Sequence, residues 1–196
     1  MNSSKLKLAI IIGSVREGRF GPTAANWFSA EVSKHDGFDA SIIDLAEYDF
    51  PINMSRNESV NAFADQIDAA DAIVVVTQEY NHSYAGTLKV AIDALREEWK
   101  GKAIGFVAYG GMSGGLRAVE ALRIVFAELH AVTIRETVAF PMYYQHWDEN
   151  GPKDSEATST AAQMLLNNLE WWGVATREMR SRVPYGEQVS AAVAAD

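Results

Sequence analysis

The sequence contains no cysteine among its 196 residues. Disulfide bonds, thiolate nucleophiles, zinc ribbons and iron–sulfur clusters are therefore excluded together. Histidine is also scarce. Its four residues, His35, His82, His130 and His146, lie in separate segments without the spacing of metal ligands. We therefore expect no metal site.

Long hydrophobic runs and an excess of basic charge are missing as well. No run approaches the roughly 18 apolar residues of a membrane span, and the stretch 8–12 is too short for a signal peptide. Acidic residues, 26 of them, outnumber the 17 lysines and arginines, so the net charge is −9 and no basic face is expected for nucleic acid. These absences predict a cytoplasmic protein that binds neither membranes nor nucleic acids.

The hydrophobic residues, 48% of the chain, follow two alternating periods. Short β-branched runs predict buried strands at residues 5–12, 40–45, 72–77, 103–109 and 133–138. Amphipathic spacing predicts helices at residues 23–34, 61–70, 86–99, 116–129 and 157–174. This alternation predicts an α/β three-layer sandwich with a five-stranded parallel sheet of flavodoxin-like order 2-1-3-4-5. No linker divides the chain, so one domain spanning 1–196 is expected.

Ligands of such a sheet bind at the carboxyl ends of its strands. The loop after the first strand reads Gly13-Ser-Val-Arg-Glu-Gly-Arg-Phe-Gly-Pro22. Its glycines allow close approach of a ligand, Ser14 and Thr23 offer hydroxyls, and the next helix directs its N–H groups toward the loop. Arg16 and Arg19 add donors that suit a phosphate. The alternative is an ordinary surface turn with two solvated arginines.

The loop after the third strand reads Gln78-Glu-Tyr-Asn-His-Ser-Tyr-Ala-Gly86. Tyr80 and Tyr84 suit stacking on a planar ring, and Asn81 suits a hydrogen bond to the edge of that ring. The alternative is structural: Tyr80 covers the core, Asn81 tolerates a left-handed turn and Ser83 caps the next helix.

The loop after the fourth strand, Tyr109-Gly-Gly-Met-Ser-Gly-Gly115, leaves room for a large flat ligand. It also contains the G-x-S-x-G pattern of a hydrolase nucleophile at Ser113. Only His130 and His146 follow that serine, and no aspartate precedes either of them within that stretch. The sequence therefore disfavours a hydrolase.

Together these loops resemble the NAD(P)H-dependent FMN reductase family, which includes quinone, azo-dye and chromate reductases. The motifs that carry the resemblance are Gly13-Ser-Val-Arg16, then Glu79-Tyr-Asn-His-Ser83 with Gly86-Thr-Leu-Lys-Val-Ala-Ile-Asp93, and Gly114-Gly-Leu-Arg117. Some positions depart from the family pattern. Gln78 and Ala85 replace prolines, Val90 replaces an asparagine, and Arg19 and Gly21 stand where many relatives carry serine and asparagine.

The resemblance implies that FMN accepts hydride from NADPH or NADH and reduces a quinone, an azo compound, a metal oxyanion or free flavin. No side chain is expected to act as a catalytic nucleophile. With the loop patterns, the resemblance predicts cofactor binding by Ser14, Arg16, Arg19, Gly21, Gln78, Glu79, Tyr80, Asn81, Tyr109, Gly110 and Gly111. Two alternatives stay open: a flavodoxin-like electron carrier without a nicotinamide site, and an adaptor that binds no flavin.

The aromatic residues predict a homodimer or homotetramer with sites near the interface, an arrangement that the resemblance also implies. Tyr84, Trp99, Tyr143, Tyr144 and Trp147 are more large rings than a small monomer buries easily. The alternative is that these rings cover the sheet of their own chain. The paired residues 171 and 172, both tryptophan, are expected in core and interface packing.

Overall fold

Five parallel strands form the central sheet, in a computed structural model that describes residues 4–187. The strands are β1 (Leu6–Ile12), β2 (Phe38–Asp44), β3 (Ala72–Gln78), β4 (Ala103–Tyr109) and β5 (Val132–Phe140). Their order is β2-β1-β3-β4-β5, which confirms the predicted flavodoxin-like topology. Residues 1–3 and 188–196 of the predicted domain lie outside the described residues.

Helices cover both faces of the sheet. The helices are α1 (Gly21–Val32), α2 (Glu58–Ala69), α3 (Gly86–Asp93), α4 (Leu116–Glu128), α5 (Tyr143–His146) and α6 (Ser155–Arg182). Between α5 and α6, β6 (Trp147–Asp148) pairs antiparallel with β7 (Gly151–Pro152). Phe63 of α2 and Phe126 of α4 lie in the core on one face of the sheet, while Phe28 of α1 and Leu165 of α6 lie in the core on the other. Every residue of β3 and β4 is buried, which explains why their sequences are continuous apolar runs.

Helix α3 is shorter than predicted, because it ends at Asp93 rather than at residue 99. The apolar spacing continues through Leu95 and Trp99, so the sequence pattern alone gives no stop signal. In the structure the chain turns after α3, and the Trp99 indole N–H donates to the carbonyl of Ile92 at 3.0 Å. Trp99 is 0% exposed, so its predicted place among the interface aromatics is wrong.

Helix α6 is longer than predicted and runs eight residues beyond residue 174. The added turns have no apolar stripe; polar contacts hold them against the amino ends of the strands. Arg177 donates to the carbonyl of Ser4 at 3.2 Å, and Arg180 donates to the carbonyl of Gly101. Trp171 and Trp172 are exposed on this helix, which corrects their expected place in the core.

The carboxyl ends of β1, β3 and β4 bring three loops side by side. Gly13 N–H donates to the carbonyl of Val76 at 2.9 Å, and Glu79 N–H donates to the carbonyl of Tyr109 at 3.1 Å. The strand order reverses between β1 and β3, the position where open α/β sheets form a ligand crevice.

Candidate functional site

The first wall of the candidate site is the loop after β1. Ser14 is buried, and its Oγ makes no hydrogen bond of normal geometry within residues 4–187, although the nearby Tyr109 hydroxyl interacts with it. A Cβ on Gly21 would lie 2.2 Å from this Oγ, so glycine is required where α1 begins. An unpaired buried hydroxyl costs about 1–3 kcal/mol. A bound ligand could therefore supply the hydrogen-bond partner that Ser14 Oγ lacks.

The two arginines of this loop have different environments. Arg16 is exposed and makes no hydrogen bond or ion pair within the described residues. The Nη1 and Nη2 atoms of Arg19 donate to the two carboxylate oxygens of Asp44 at 2.5 and 2.6 Å, and Nη1 also donates to the carbonyl of Ser14 at 2.6 Å. Burial alone would raise the pKa of Asp44, but hydrogen bonds from Arg19 and the Ala46 N–H hold it below its ordinary value.

The loop after β3 makes a tight two-residue turn. Tyr80 and Ser83 exchange backbone hydrogen bonds of 2.8 and 3.0 Å, and the residues between them, Asn81 and His82, have φ of 49° and 76°. The left-handed turn expected at Asn81 is confirmed. Tyr80 is 41% exposed and does not cover the core, and the residue at the start of α3 is Ala85, without a side-chain cap. The structural alternative therefore explains Asn81 but neither Tyr80 nor Ser83.

Glu79 joins the loop after β3 to the loop after β4. Its carboxylate accepts hydrogen bonds from Ser113 Oγ at 2.5 Å, from Arg117 N–H at 3.2 Å and from Arg117 Nη1 at 3.1 Å. Burial alone would raise the pKa of Glu79, but these contacts outweigh it and hold the pKa below its ordinary value. Ser113 is a donor to a carboxylate and not the partner of a histidine, which agrees with the rejection of a hydrolase.

A cavity of about 160 Å³ lies where the three loops meet. Its lining residues are Arg16, Arg19, Phe20, Gln78, Glu79, Tyr80, Tyr109, Gly110, Gly111 and Tyr143. All but Phe20 and Tyr143 are predicted site residues. Of the other predicted residues, Ser14 and Gly21 lie buried at the base of the first loop, and Asn81 lies in the exposed turn.

Phe20 was missed as a site residue because nothing in its local pattern marks it, whereas Tyr143 is among the aromatic residues that the sequence offers for covering a cofactor or a subunit partner. Phe20 lies inside a glycine-rich loop, and Tyr143 follows β5, far along the chain. Their ring centroids are 4.4 Å apart, and Phe20 lies 5.1 Å from the ring of Tyr109. Burial raises the pKa of Tyr109 to about 12, so its hydroxyl stays protonated at neutral pH. The sequence signal for this wall was the aromatic cluster after β5, which also contains Trp147 against Phe20.

Larger surface cavities are also present: one of about 570 Å³ among α4, β5 and α6, one of about 540 Å³ between Val15, the β2–α2 connection and α3, and two of about 300 and 210 Å³. Buried polar atoms without a partner in the described part of the chain nevertheless favour the cavity of about 160 Å³ between the three loops as the ligand site. The buried side-chain atoms without a partner in residues 4–187 are Ser14 Oγ and Gln78 Oε1, and both residues belong to the three-loop site. Within the same residues there is no group of three His, Asp or Glu side chains placed for a metal ion, and no helix long and apolar enough to cross a membrane.

Comparison with known families identifies what this loop arrangement represents. Residues 6–145 match the family model described as NADPH-dependent FMN reductase. The chain belongs to the NADPH-dependent FMN reductase family. This match confirms the predicted resemblance and covers all three loops of the site.

Individual members of the FMN reductase family agree with this assignment. An NAD(P)H-dependent FMN reductase of Schizosaccharomyces pombe is 37% identical over 122 residues, which are 56% of this chain and 60% of that protein. A quinone reductase of Escherichia coli is 33% identical over 143 residues, covering 68% of this chain and 76% of the relative. The crystal structure of an oxidoreductase from Corynebacterium diphtheriae superimposes with a TM-score of 0.72 at 21% identity, over 88% of this chain and 99% of that one, and supports the fold.

The residues of the site fit FMN, the cofactor of this family. A phosphate group needs donors and local positive charge. The first loop supplies the unpaired Ser14 hydroxyl, the unpaired Arg16 and the amino end of α1. A cavity of about 160 Å³ is smaller than the roughly 300–1,000 Å³ that enclose a drug-sized ligand, so a flavin held here also extends over the exposed loop residues.

Proposed function

We propose that the protein is an FMN-dependent oxidoreductase that transfers hydride from NADPH or NADH to a small acceptor such as a quinone, an azo compound, a metal oxyanion or free flavin. The observation that carries this proposal is the buried, unpaired Ser14 Oγ at the amino end of α1, in a loop whose Arg16 has no partner among residues 4–187. Family membership supports the same reaction. Cytoplasmic location is part of the proposal.

The chain's own residues would divide the binding of FMN among three loops. Ser14 and Arg16 would hold the phosphate, with Arg19 and Gly21 shaping the same loop. Tyr80 and Asn81 would contact the ring system from the loop after β3, beside Gln78 and Glu79. Tyr109, Gly110 and Gly111 would approach it from the loop after β4.

Bound FMN supplies the redox chemistry, since it accepts a hydride from a nicotinamide and returns electrons to an acceptor. The protein contributes binding, orientation and exclusion of water. The backbone N–H groups of Asn81 and Gly111 make no hydrogen bond within residues 4–187 and are available to stabilise negative charge on the reduced ring. The Tyr109 hydroxyl is a neutral donor at pH 7, because burial raises its pKa to about 12.

We also propose that the working unit is a homodimer or homotetramer, with the nicotinamide site completed near the subunit boundary. Tyr144 supports this arrangement, because it follows β5 beside the site and its side chain is 60% exposed in the single chain.

Steady-state turnover tests the proposed reaction. In the absence of oxygen, protein reconstituted with FMN is expected to oxidise NADPH or NADH continuously when a small quinone is added, at a rate proportional to enzyme concentration. FMN binding with no NAD(P)H oxidation would instead support the electron-carrier alternative. A folded protein that binds no flavin would support the adaptor alternative.

A further inference from the structure

Arg19 connects the loop after β1 to the end of strand β2. Its guanidinium makes a two-pronged contact with both carboxylate oxygens of Asp44, at 2.5 and 2.6 Å. Asp44 is itself oriented, because its Oδ1 accepts the N–H of Ala46 at 3.0 Å. Such paired, charge-assisted hydrogen bonds fix both distance and orientation. The loop is therefore fastened to a residue that the sheet holds in place.

The third contact of Arg19 acts on the loop backbone, since Nη1 donates to the carbonyl oxygen of Ser14 at 2.6 Å. A trans peptide is planar, and its C=O and N–H point in opposite directions. With the Ser14 carbonyl turned toward Arg19, the N–H of Val15 is turned away from it. That N–H and the N–H of Arg16 make no hydrogen bond within residues 4–187. They are free donors beside the unpaired Ser14 hydroxyl.

The charges of the loop also distinguish the two arginines. The positive charge of Arg19 is balanced by Asp44, whereas Arg16 has no acidic partner among the described residues. Three of the five guanidinium N–H donors of Arg19 are used by these contacts and its charge is balanced by Asp44, so Arg16 is better placed to bind an incoming phosphate. Both Nη1 hydrogens of Arg19 are used by these contacts.

We propose that Arg19 and Asp44 are positioning residues: their ion pair sets the Ser14–Val15 peptide so that backbone N–H groups and the Ser14 hydroxyl face the phosphate of FMN. This inference rests on the proposed function. Arg19 then acts on the cofactor through the loop, and Arg16 is the arginine that contacts the phosphate.

Asp44→Asn separates this proposal from direct phosphate binding by Arg19. If Arg19 contacted the phosphate, removing the competing carboxylate would leave FMN affinity unchanged or increase it. If the pair positions the loop, Asp44→Asn weakens FMN by about tenfold, Arg19→Gln weakens it similarly, and the double variant is no weaker than the weaker single variant. Riboflavin, which lacks the phosphate, keeps its affinity throughout. Flavin fluorescence quenching measures both ligands, and circular dichroism verifies the fold.

The chain offers a matched control in Glu98→Gln. Glu98 accepts a hydrogen bond from Arg56 at 3.2 Å and from the N–H of Arg96 at 3.0 Å, the same kind of arrangement away from the three loops. The FMN affinity of the Glu98→Gln variant is expected to equal that of the wild type.

Asp44→Glu decides the question if Asp44→Asn does not fold, because it keeps the carboxylate but displaces it from the Arg19 fork by one methylene. Weakened FMN binding would support positioning, since a direct Arg19–phosphate contact does not need the Asp44 geometry, and retained affinity would overturn it. FMN affinity of Asp44→Asn at or above the wild-type value would overturn the proposal as well. Failure of the wild type to bind FMN would reject the proposed function itself and with it this inference.

Discussion

Arg16 and Arg19 lie three residues apart in one loop, yet only Arg16 lacks a partner within residues 4–187. A hydrogen bond to a charged group contributes about 1.5–3 kcal/mol. We therefore expect Arg16→Ala to weaken FMN binding by roughly ten- to a hundredfold, with little effect on riboflavin. Fluorescence titration measures both affinities. Arg135→Ala, which removes another exposed arginine, is the control. Equal losses for FMN and riboflavin would show that Arg16 instead maintains the loop.

His82 is the most strained residue of the loop after β3, with a φ of 76° at the second position of a turn that favours glycine there. A side chain in this conformation costs about 1 kcal/mol. His82→Gly is expected to raise the free energy of unfolding of the flavin-free protein by about that amount, as measured in urea. His82→Ala removes the same ring without relieving the backbone and is expected to bring no such gain. A gain as large from alanine would attribute the effect to the imidazole.

At the scale of elements, Glu79 links the end of β3 to the start of α4 through Ser113 and Arg117. Glu79→Gln removes the charge from three hydrogen bonds. We expect it to lower the free energy of unfolding by about 1–3 kcal/mol at pH 7. Glu120→Gln, on the exposed side of α4, is the control and is expected to change it little.

The same contact has a pH dependence with a definite sign. The folded-state pKa of Glu79 lies below its ordinary value, so its stabilisation is complete above the unfolded pKa of about 4.3 and is lost as the pH falls through the folded pKa. The difference in unfolding free energy between wild type and Glu79→Gln is therefore largest near neutral pH and shrinks below about pH 4. Urea titrations at several pH values measure it. A difference that grows on acidification would contradict the ionised contact.

The sequence was sufficient to predict the sheet because β3 and β4 are buried on both faces and must be continuously apolar. It could not predict where α3 stops, since Leu95 and Trp99 continue the helical spacing while the chain turns. The last turns of α6 depend on contacts of Arg177 and Arg180 with distant backbone, which no local pattern records.

The sequence was sufficient to predict which loops form the candidate site, but it was not sufficient to predict which contacts the individual residues of those loops make. Glycines and polar residues at the ends of β1, β3 and β4 indicated where a ligand binds. The partner of Arg19 is Asp44, 25 residues away, and the partners of Glu79 are 34 and 38 residues away, so only the folded chain reveals these pairs.

At the scale of the whole molecule, we expect an oligomer with a mass of two or four times 21.5 kDa. Static light scattering at micromolar concentration measures it, and a mass near 21.5 kDa would contradict the proposal. Tyr144→Asp, at an exposed ring beside the site, is expected to lower the mass and to reduce NADPH turnover more than FMN binding. If Trp171→Asp lowers the mass and Tyr144→Asp does not, the interface lies on α6.

The central claim is that the three loops bind one FMN through its phosphate, and a titration of the flavin-free protein tests it most directly. Flavin fluorescence is followed as FMN, and separately riboflavin, is added to folded protein at micromolar concentration. The account predicts saturation at one FMN per chain, with riboflavin bound more weakly by at least roughly tenfold because it lacks the charged phosphate contacts. No saturable FMN binding by folded protein, or equal affinity for the two flavins, would contradict it.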